Sequence, residues 1–147
     1  MRQVNEMCLL AHLAAEGRHD IDATLATLHP ECVFVDEPLG MRFEGRAGAR
    51  EHYTMWWSAF GNTLDGGELH WVGDELVIGD SAFVGRHVGP FGGIAASGRP
   101  MRLPFVVFVR FRDGLLASER FVYDLNGLLD QLGQPAFVPK RTDRERA

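Results

Sequence analysis

Apolar residues first recur at helical spacing: Met7, Leu10 and Ala14, with Leu9 and Leu13 beside them, form a stripe over residues 3–16. Gly17 ends it, being able to take the left-handed cap conformation. Asp20 then caps a short second helix whose Ile21, Leu25 and Leu28 share a face, and Pro30 stops it. From Glu31 to Asp36 the run Val33-Phe34-Val35 predicts a strand, followed by the turn Asp36-Glu37-Pro38-Leu39-Gly40, so two adjacent carboxylates sit at a strand end. A third helix runs from about Arg46 to Gly61 with Ala49, Tyr53, Trp56, Trp57 and Phe60 along its clearest face. Rings at helical spacing favour core, and they can also wall one side of a pocket.

Beyond Gly61 the pattern is extended, over about 68–78, 81–89, 101–112 and 115–123, punctuated by Gly66-Gly67, Gly79-Asp80, a loop over 89–100 and Asp113-Gly114. The last pair is a hairpin signal. Leu103 to Phe111 is apolar on both parities and predicts a central strand covered on both faces, with Pro104 near an edge or a bulge and Arg110 its lone charge. At Asp124 the period changes again, and Leu125, Leu128, Leu129 and Leu132 take helical spacing. Asp124 can cap that helix, or face a cleft as a carboxylate at a strand end. The order predicts an α+β domain over residues 1–133, its helices covering one side of a curved mixed sheet, and a C-terminal arm or tail over 134–147.

Composition narrows the function classes. With 15 basic and 20 acidic residues among 147 and a net charge of -5, no basic surplus exists for a phosphate backbone, and nucleic acid is not an expected partner. Cys8 and Cys32 suggest neither a disulfide framework nor a metal site. No apolar run approaches membrane-spanning length and the N-terminal residues lack a signal-peptide pattern, so the expectation is a cytoplasmic protein without a membrane partner.

Three stretches carry a family likeness: His29 to Gly40 with Glu44-Gly45-Arg46; Arg86 to Arg99; and Phe111 to Gly114 continuing through Tyr123-Asp124 to Gln131-Leu132-Gly133. In this order they resemble the SnoaL-like polyketide cyclases, of the nuclear transport factor two-like superfamily that also holds ketosteroid isomerase and limonene epoxide hydrolase. The resemblance implies a cone-shaped α+β barrel, a strongly curved mixed sheet wrapped around helices with an internal apolar cavity, commonly paired as a homodimer. It implies aldol ring closure of a small hydrophobic ketone or ester with no metal and no cofactor. Asp124 matches the family's acid/base carboxylate, His87 a pocket histidine, and Asp36 an acid that many superfamily members carry at the end of the first strand. His12 lies about where steroid isomerases use a tyrosine of the first helix.

Aldol closure needs a base for the proton next to a carbonyl and an acid for the alkoxide that forms, and one carboxylate can do both if an apolar wall lifts its pKa. Asp124 is the candidate, with His87 and then His12 to hold the enolate oxygen. Trp56, Phe83, Phe105 and Tyr123 are the expected walls. Which of Asp36 and Glu37 faces inward stays open, since neighbours on a strand face opposite sides, with Asp36 preferred. No acid lies near Val107 or Phe108, which argues against a steroid isomerase oxyanion hole, and no carboxylate on the strand 103–111 completes an epoxide hydrolase relay.

Plainer roles stand beside these. Asp124 can be a cap only, His87 a core or loop-anchoring residue, His52 and His70 surface or sheet-face residues, and His19, near the start of the second helix, needs no chemistry. One of Glu119 and Arg120 enters the sheet interior or a dimer interface. The sequence therefore supports a cofactor-free enzyme, a non-catalytic binder of an apolar ligand, or a dimerisation module whose cavity is filled by aromatic rings.

Overall fold

The computed structural model describes residues 1–136. The expected arm over 134–147 therefore lies, past Ala136, outside the described residues. Helix α1 (Arg2–Gly17) and the short α2 (Ile21–Ala26) lead into β1 (Leu28–Asp36) and β2 (Met41–Glu44). The long helix α3 (Gly45–Phe60) follows, then β3 (Thr63–Leu64), β4 (Glu68–Val72), β5 (Leu76–Arg86), β6 (Pro100–Arg112), β7 (Leu115–Tyr123) and α4 (Leu125–Gln131). The strands form one sheet in the order β2-β1-β7-β6-β5-β3, with β4 also on β5. Only β1 and β7 run parallel, which brings the ends of both strands to the same side. Helices α1 and α3 occupy the concave face, packing with Phe34, Phe105, Phe111 and Phe121 in one core. A second cluster joins Trp56 and Phe60 of α3 to Leu128 of the closing helix and to Leu132 at its C-cap. Among the described residues no helix is long and apolar enough to cross a membrane.

Several elements depart from the sequence expectation. The stripe expected to bury α1 faces outward: Met7 is 65% and Leu10 64% exposed, while Asn5, Leu9, His12 and Ala15 are buried. An apolar count misses a buried face that contains Asn and His. Helix α2 ends at Thr27, not at Pro30, and β1 begins at Leu28, with Pro30 inside an irregularity between Leu28 and Val33. There a missing N–H costs no ladder bond. Gly79-Asp80 is no turn but the middle of β5, paired with Val107 and Val106, and the real break is at Gly73, φ 63°. Strands β2 and β3 were not expected. The hairpin at Asp113-Gly114 has both residues at positive φ, 54° and 73°, as a primed turn requires. Pro104 sits one residue past the last β6–β7 pair, Phe105 with Tyr123, where β6 has a neighbour on one side only.

The end of α3 is clamped by two glycines. Backbone N–H groups of Val88 and Gly89 donate to the carbonyl of Ala59 at 2.9 and 3.1 Å. A Cβ on Gly85 would run into the carbonyl oxygen of Phe60, and one on Gly89 into that of Ser58. Gly85→Ala should therefore lower unfolding stability in urea by about 1–3 kcal/mol. Gly17→Ala, which meets nothing within 4 Å, should leave it unchanged.

Candidate functional site

A cavity of about 460 Å³ opens between the concave sheet and helices α1 and α3, within the range of small-molecule sites. Its rim includes Gly17, Thr63, Leu64, Gly66 and Gly67, and its walls Trp57, Phe83, Phe105, Val107 and Phe121. Two clusters of buried polar side chains, and the separate buried Asn62, interrupt this apolar lining.

The first is built on Asp36, the last residue of β1 and 1% exposed. His52 and Trp56 lie four residues apart on α3 and so share a face. Their Nε2–H and Nε1–H donate to Asp36 Oδ2 at 2.9 and 3.1 Å. Tyr123, at the end of β7, donates its hydroxyl to Oδ1 at 2.6 Å. Burial, reinforced by the Asp36 carboxylate, pushes the Tyr123 phenol far above its usual range, so its proton stays on that hydrogen bond.

The second is built on His12. The Thr27 hydroxyl donates to the Thr24 carbonyl at 2.6 Å, so its oxygen accepts from His12 Nδ1–H at 2.7 Å. On the other side of the ring, Nε2 lies 2.7 Å from Glu16 Oε1 and 3.2 Å from Glu119 Oε1. Tyr53 donates its hydroxyl to the same Glu16 oxygen at 2.6 Å. A ring with acceptors on both sides carries two protons. Burial alone would discharge it, but the Glu16 charge and the hydrogen bonds to Glu119 and Glu16 outweigh burial and push its pKa up to about 10. For Glu16 burial is likewise overcome, by the imidazolium, and its pKa is lowered. Glu119 goes the other way: burial and the nearby Glu16 charge raise it despite His12. Its second oxygen, Oε2, has no hydrogen-bond partner among the described residues. His12, Glu16 and Glu119 have the donor types of a cation site. Their 2.7 Å contact, however, is that of a shared proton, since ligands at about 2.0–2.2 Å around a tetrahedral metal sit more than ~3 Å apart.

Of the residues singled out in the sequence, Asp36, His12, Trp56, Phe83, Phe105 and Tyr123 line this cavity. Glu37 points away, exposed, with Arg120 Nη1 3.8 Å from its carboxylate. Asp124 does not reach the cavity: it is exposed and caps α4, accepting the Gly127 N–H at 2.9 Å. His87 is fully buried but also outside it, packed on Phe60, with Nδ1 accepting the Ser97 N–H at 3.1 Å. It anchors the loop over 87–99, whose ends pair through the His87 N–H to Arg99 carbonyl bond at 2.8 Å. His52, expected at a surface or on a sheet face, lies on α3 and is buried on Asp36. Glu16 had no expected part in the site, Tyr53 was expected only as one ring of the α3 stripe, and Glu119 is the member of its pair that turns inward. The available signal was the His12–Glu16 spacing of one helical turn.

The curled mixed sheet with helices in its concavity is that of the ketosteroid isomerase-like, nuclear transport factor two-like fold. Within that class the sequence matches the SnoaL-like polyketide cyclase profile over residues 6–132, and the chain belongs to that family. A solved candidate polyketide cyclase from Xanthomonas campestris pv. campestris is similar at 24% identity, covering 89% of this chain and 98% of that one, TM-score 0.80. TsrD from Streptomyces laurentii shares 30% identity over 90% of this chain and 97% of its own, TM-score 0.76. TerC, co-crystallised with polyporic acid, shares 21% identity over 89% and 99%, TM-score 0.72. No curated protein matches the chain.

The charge on His12 sets a pH dependence. An unfolded histidine loses its proton near pH 6.5, the folded one at about 10, so the stability this contributes is complete below pH 6.5 and disappears as pH rises toward 10. The raised Glu119 acts in the same sense from lower pH, and the lowered Glu16 acts on the acid side. Between pH 6.5 and 10 the urea midpoint should fall more steeply for the native chain than for His12→Gln. Parallel profiles would mean that the buried ring is neutral.

Proposed function

We propose that this chain is a cofactor-independent, cyclase-type enzyme that performs acid/base chemistry on a small hydrophobic ketone or ester, with Glu119 as its base. The observation that carries this reading is a carboxyl group buried in an apolar cavity, raised in pKa, held at one oxygen by an imidazolium and unpartnered at the other. A base needs affinity for a proton near the working pH, and burial supplies it. In an aldol closure Glu119 takes the proton from the carbon next to a carbonyl. The enolate carbon then attacks a second carbonyl of the same molecule, and the alkoxide recovers the proton from Glu119. The imidazolium of His12, held by Glu16, lowers the cost of the negative charge that moves to oxygen. Asp36 already holds three donors and acts as the fixed anion that orients His52, Trp56 and Tyr123 at the cavity wall.

Family membership supports the cyclase class, and the polyporic acid in TerC supports small-molecule binding. The second reading is a binder without turnover, favoured by the three donors on Asp36 and the two partners of Glu16, which commit both carboxylates to holding other side chains and leave Glu119 alone for chemistry. The free cysteines Cys8 and Cys32 fit a cytoplasmic setting.

The test is α-proton exchange of β-tetralone in deuterated buffer, followed by proton NMR. Glu119→Gln should lose at least about 100-fold in rate. Asp124→Asn should keep the rate and the stability, since an asparagine oxygen caps a helix about as well as an aspartate one. Full activity in Glu119→Gln together with loss in Asp124→Asn would transfer the base to the α4 cap.

The chain is also proposed to pair with a second copy through the convex sheet face. Register places Ile78, Phe108, Arg120 and Val35 in one row across β5, β6, β7 and β1, with Val106 and Val122 beside them. Val122 is 42% exposed, and Arg120 lies over the Phe108 ring at 4.5 Å. An apolar band of this kind on a sheet face fits an isologous interface. Phe108→Glu should convert a dimer to a monomer in light scattering, and a native chain that is monomeric at micromolar concentration would remove the proposal.

A further inference from the structure

Asn62 is the first residue after the cap of α3, and its backbone is fixed from three sides. Gly61 turns the chain at φ 54° and donates to the Trp57 carbonyl at 2.8 Å. The Asn62 carbonyl accepts from His19 Nε2–H at 2.8 Å, and His19 is stacked on Trp57 with centroids 4.4 Å apart and planes at 10°. From β5, Gly85 presses so close that a Cβ there would lie 3.3 Å from Asn62 Cα. The side chain is 5% exposed and lines the cavity, yet its Oδ1 has no hydrogen-bond partner among the described residues.

Buried polar atoms in folded chains are nearly always paired, so an unpaired one on a residue that lines a cavity is a place where a bound group can supply the missing partner. Two lining residues have this character, Asn62 and Glu119, in a lining otherwise dominated by Trp57, Phe83, Phe105 and Phe121. An amide accepts and donates, a carboxylate accepts and a carboxyl group also donates, so both can serve a hydroxyl. The faces of aromatic side chains favour a flat apolar frame between such groups.

We propose that Asn62 is a ligand-binding residue, and that the cavity selects flat apolar molecules with two separated hydrogen-bonding groups, one satisfied by Asn62 and one by Glu119. This rests on the reading of the cavity as the substrate site and adds the chemical class that fits it. Asn62 acts on affinity and orientation, and no proton passes through it.

The experiment is quenching of tryptophan fluorescence in the full chain, since Trp56 and Trp57 line the cavity. The probes are naphthalene, β-naphthol and a dihydroxynaphthalene with its hydroxyls on opposite rings. The dihydroxy compound should bind the native chain about tenfold more tightly than naphthalene. Asn62→Leu should erase most of that ratio and leave naphthalene affinity unchanged or improved. An unchanged ratio in Asn62→Leu overturns the proposal. If that variant does not fold, the side-chain amide signal of Asn62 in the native chain decides: a shift with the dihydroxy compound and none with naphthalene supports the role, and no shift with either overturns it. Failure of all three probes to bind the native chain would instead remove the cavity reading itself, and this proposal with it.

Discussion

A carboxylate taken out of water must be given partners, and Asp36 receives them from three elements at once. It ends β1, two of its donors come from α3 and the third from the end of β7. Those contacts fix the depth at which α3 sits in the sheet and the place where β7 hands over to α4. Removing the carboxylate would leave an indole N–H, an imidazole and a phenol without their acceptor, each a desolvation penalty on the order of 1–3 kcal/mol. Replacing all four groups by well-packed hydrocarbon would be far less costly. The arrangement thus specifies one packing of helix against sheet more than it adds net stability.

The His12 group does the opposite. Its carboxylates, Glu16 and Glu119, share one imidazolium, and only one of them can be fully compensated by it. Glu16 has the shorter contact and the Tyr53 hydroxyl as well, so its ionised form is the one favoured. Glu119 is left with the longer contact and a free oxygen. Two acids in one cavity are thereby pushed apart in proton affinity by their neighbours, the condition under which one can hold charge while the other moves a proton.

Sequence periodicity made much of the architecture legible, because the ring face of α3 is buried as its pattern says. Strand β6, apolar on both parities and so expected to be covered on both sides, buries one face only and leaves Val106 and Phe108 half-buried on the other. Periodicity failed on α1, where the inward face includes Asn5 and His12 and the apolar residues Met7 and Leu10 face out. The same failure hid part of the site. Glu16 and His52 are invisible to hydrophobic pattern, while His12 was legible only through family likeness and Glu119 only as one of a strand pair with Arg120, since the partners of a buried polar residue lie on distant elements. Asp36, Tyr123 and the aromatic walls were legible because strand ends and ring stripes have local signatures. Asp124 had such a signature too, and its local role, a helix cap, is the one the structure displays.

The cavity persists because its walls cannot collapse without breaking these polar groups. Gly79 of β5 brings backbone to the lining where a side chain would press on Val107, leaving 3.0 Å to its Cγ1. On the other side α1 is pinned by His12 to Thr27 and α3 by His52 and Trp56 to Asp36, so neither helix can slide inward to fill the space. An apolar interior free to relax would shrink around a void of this size, because each unfilled contact forfeits dispersion energy. Here inward movement would strip hydrogen bonds from buried charges, which costs more than the packing it would gain. The open volume is therefore a consequence of where the charged groups are anchored, and its unsatisfied atoms belong to the residues those anchors hold in the wall.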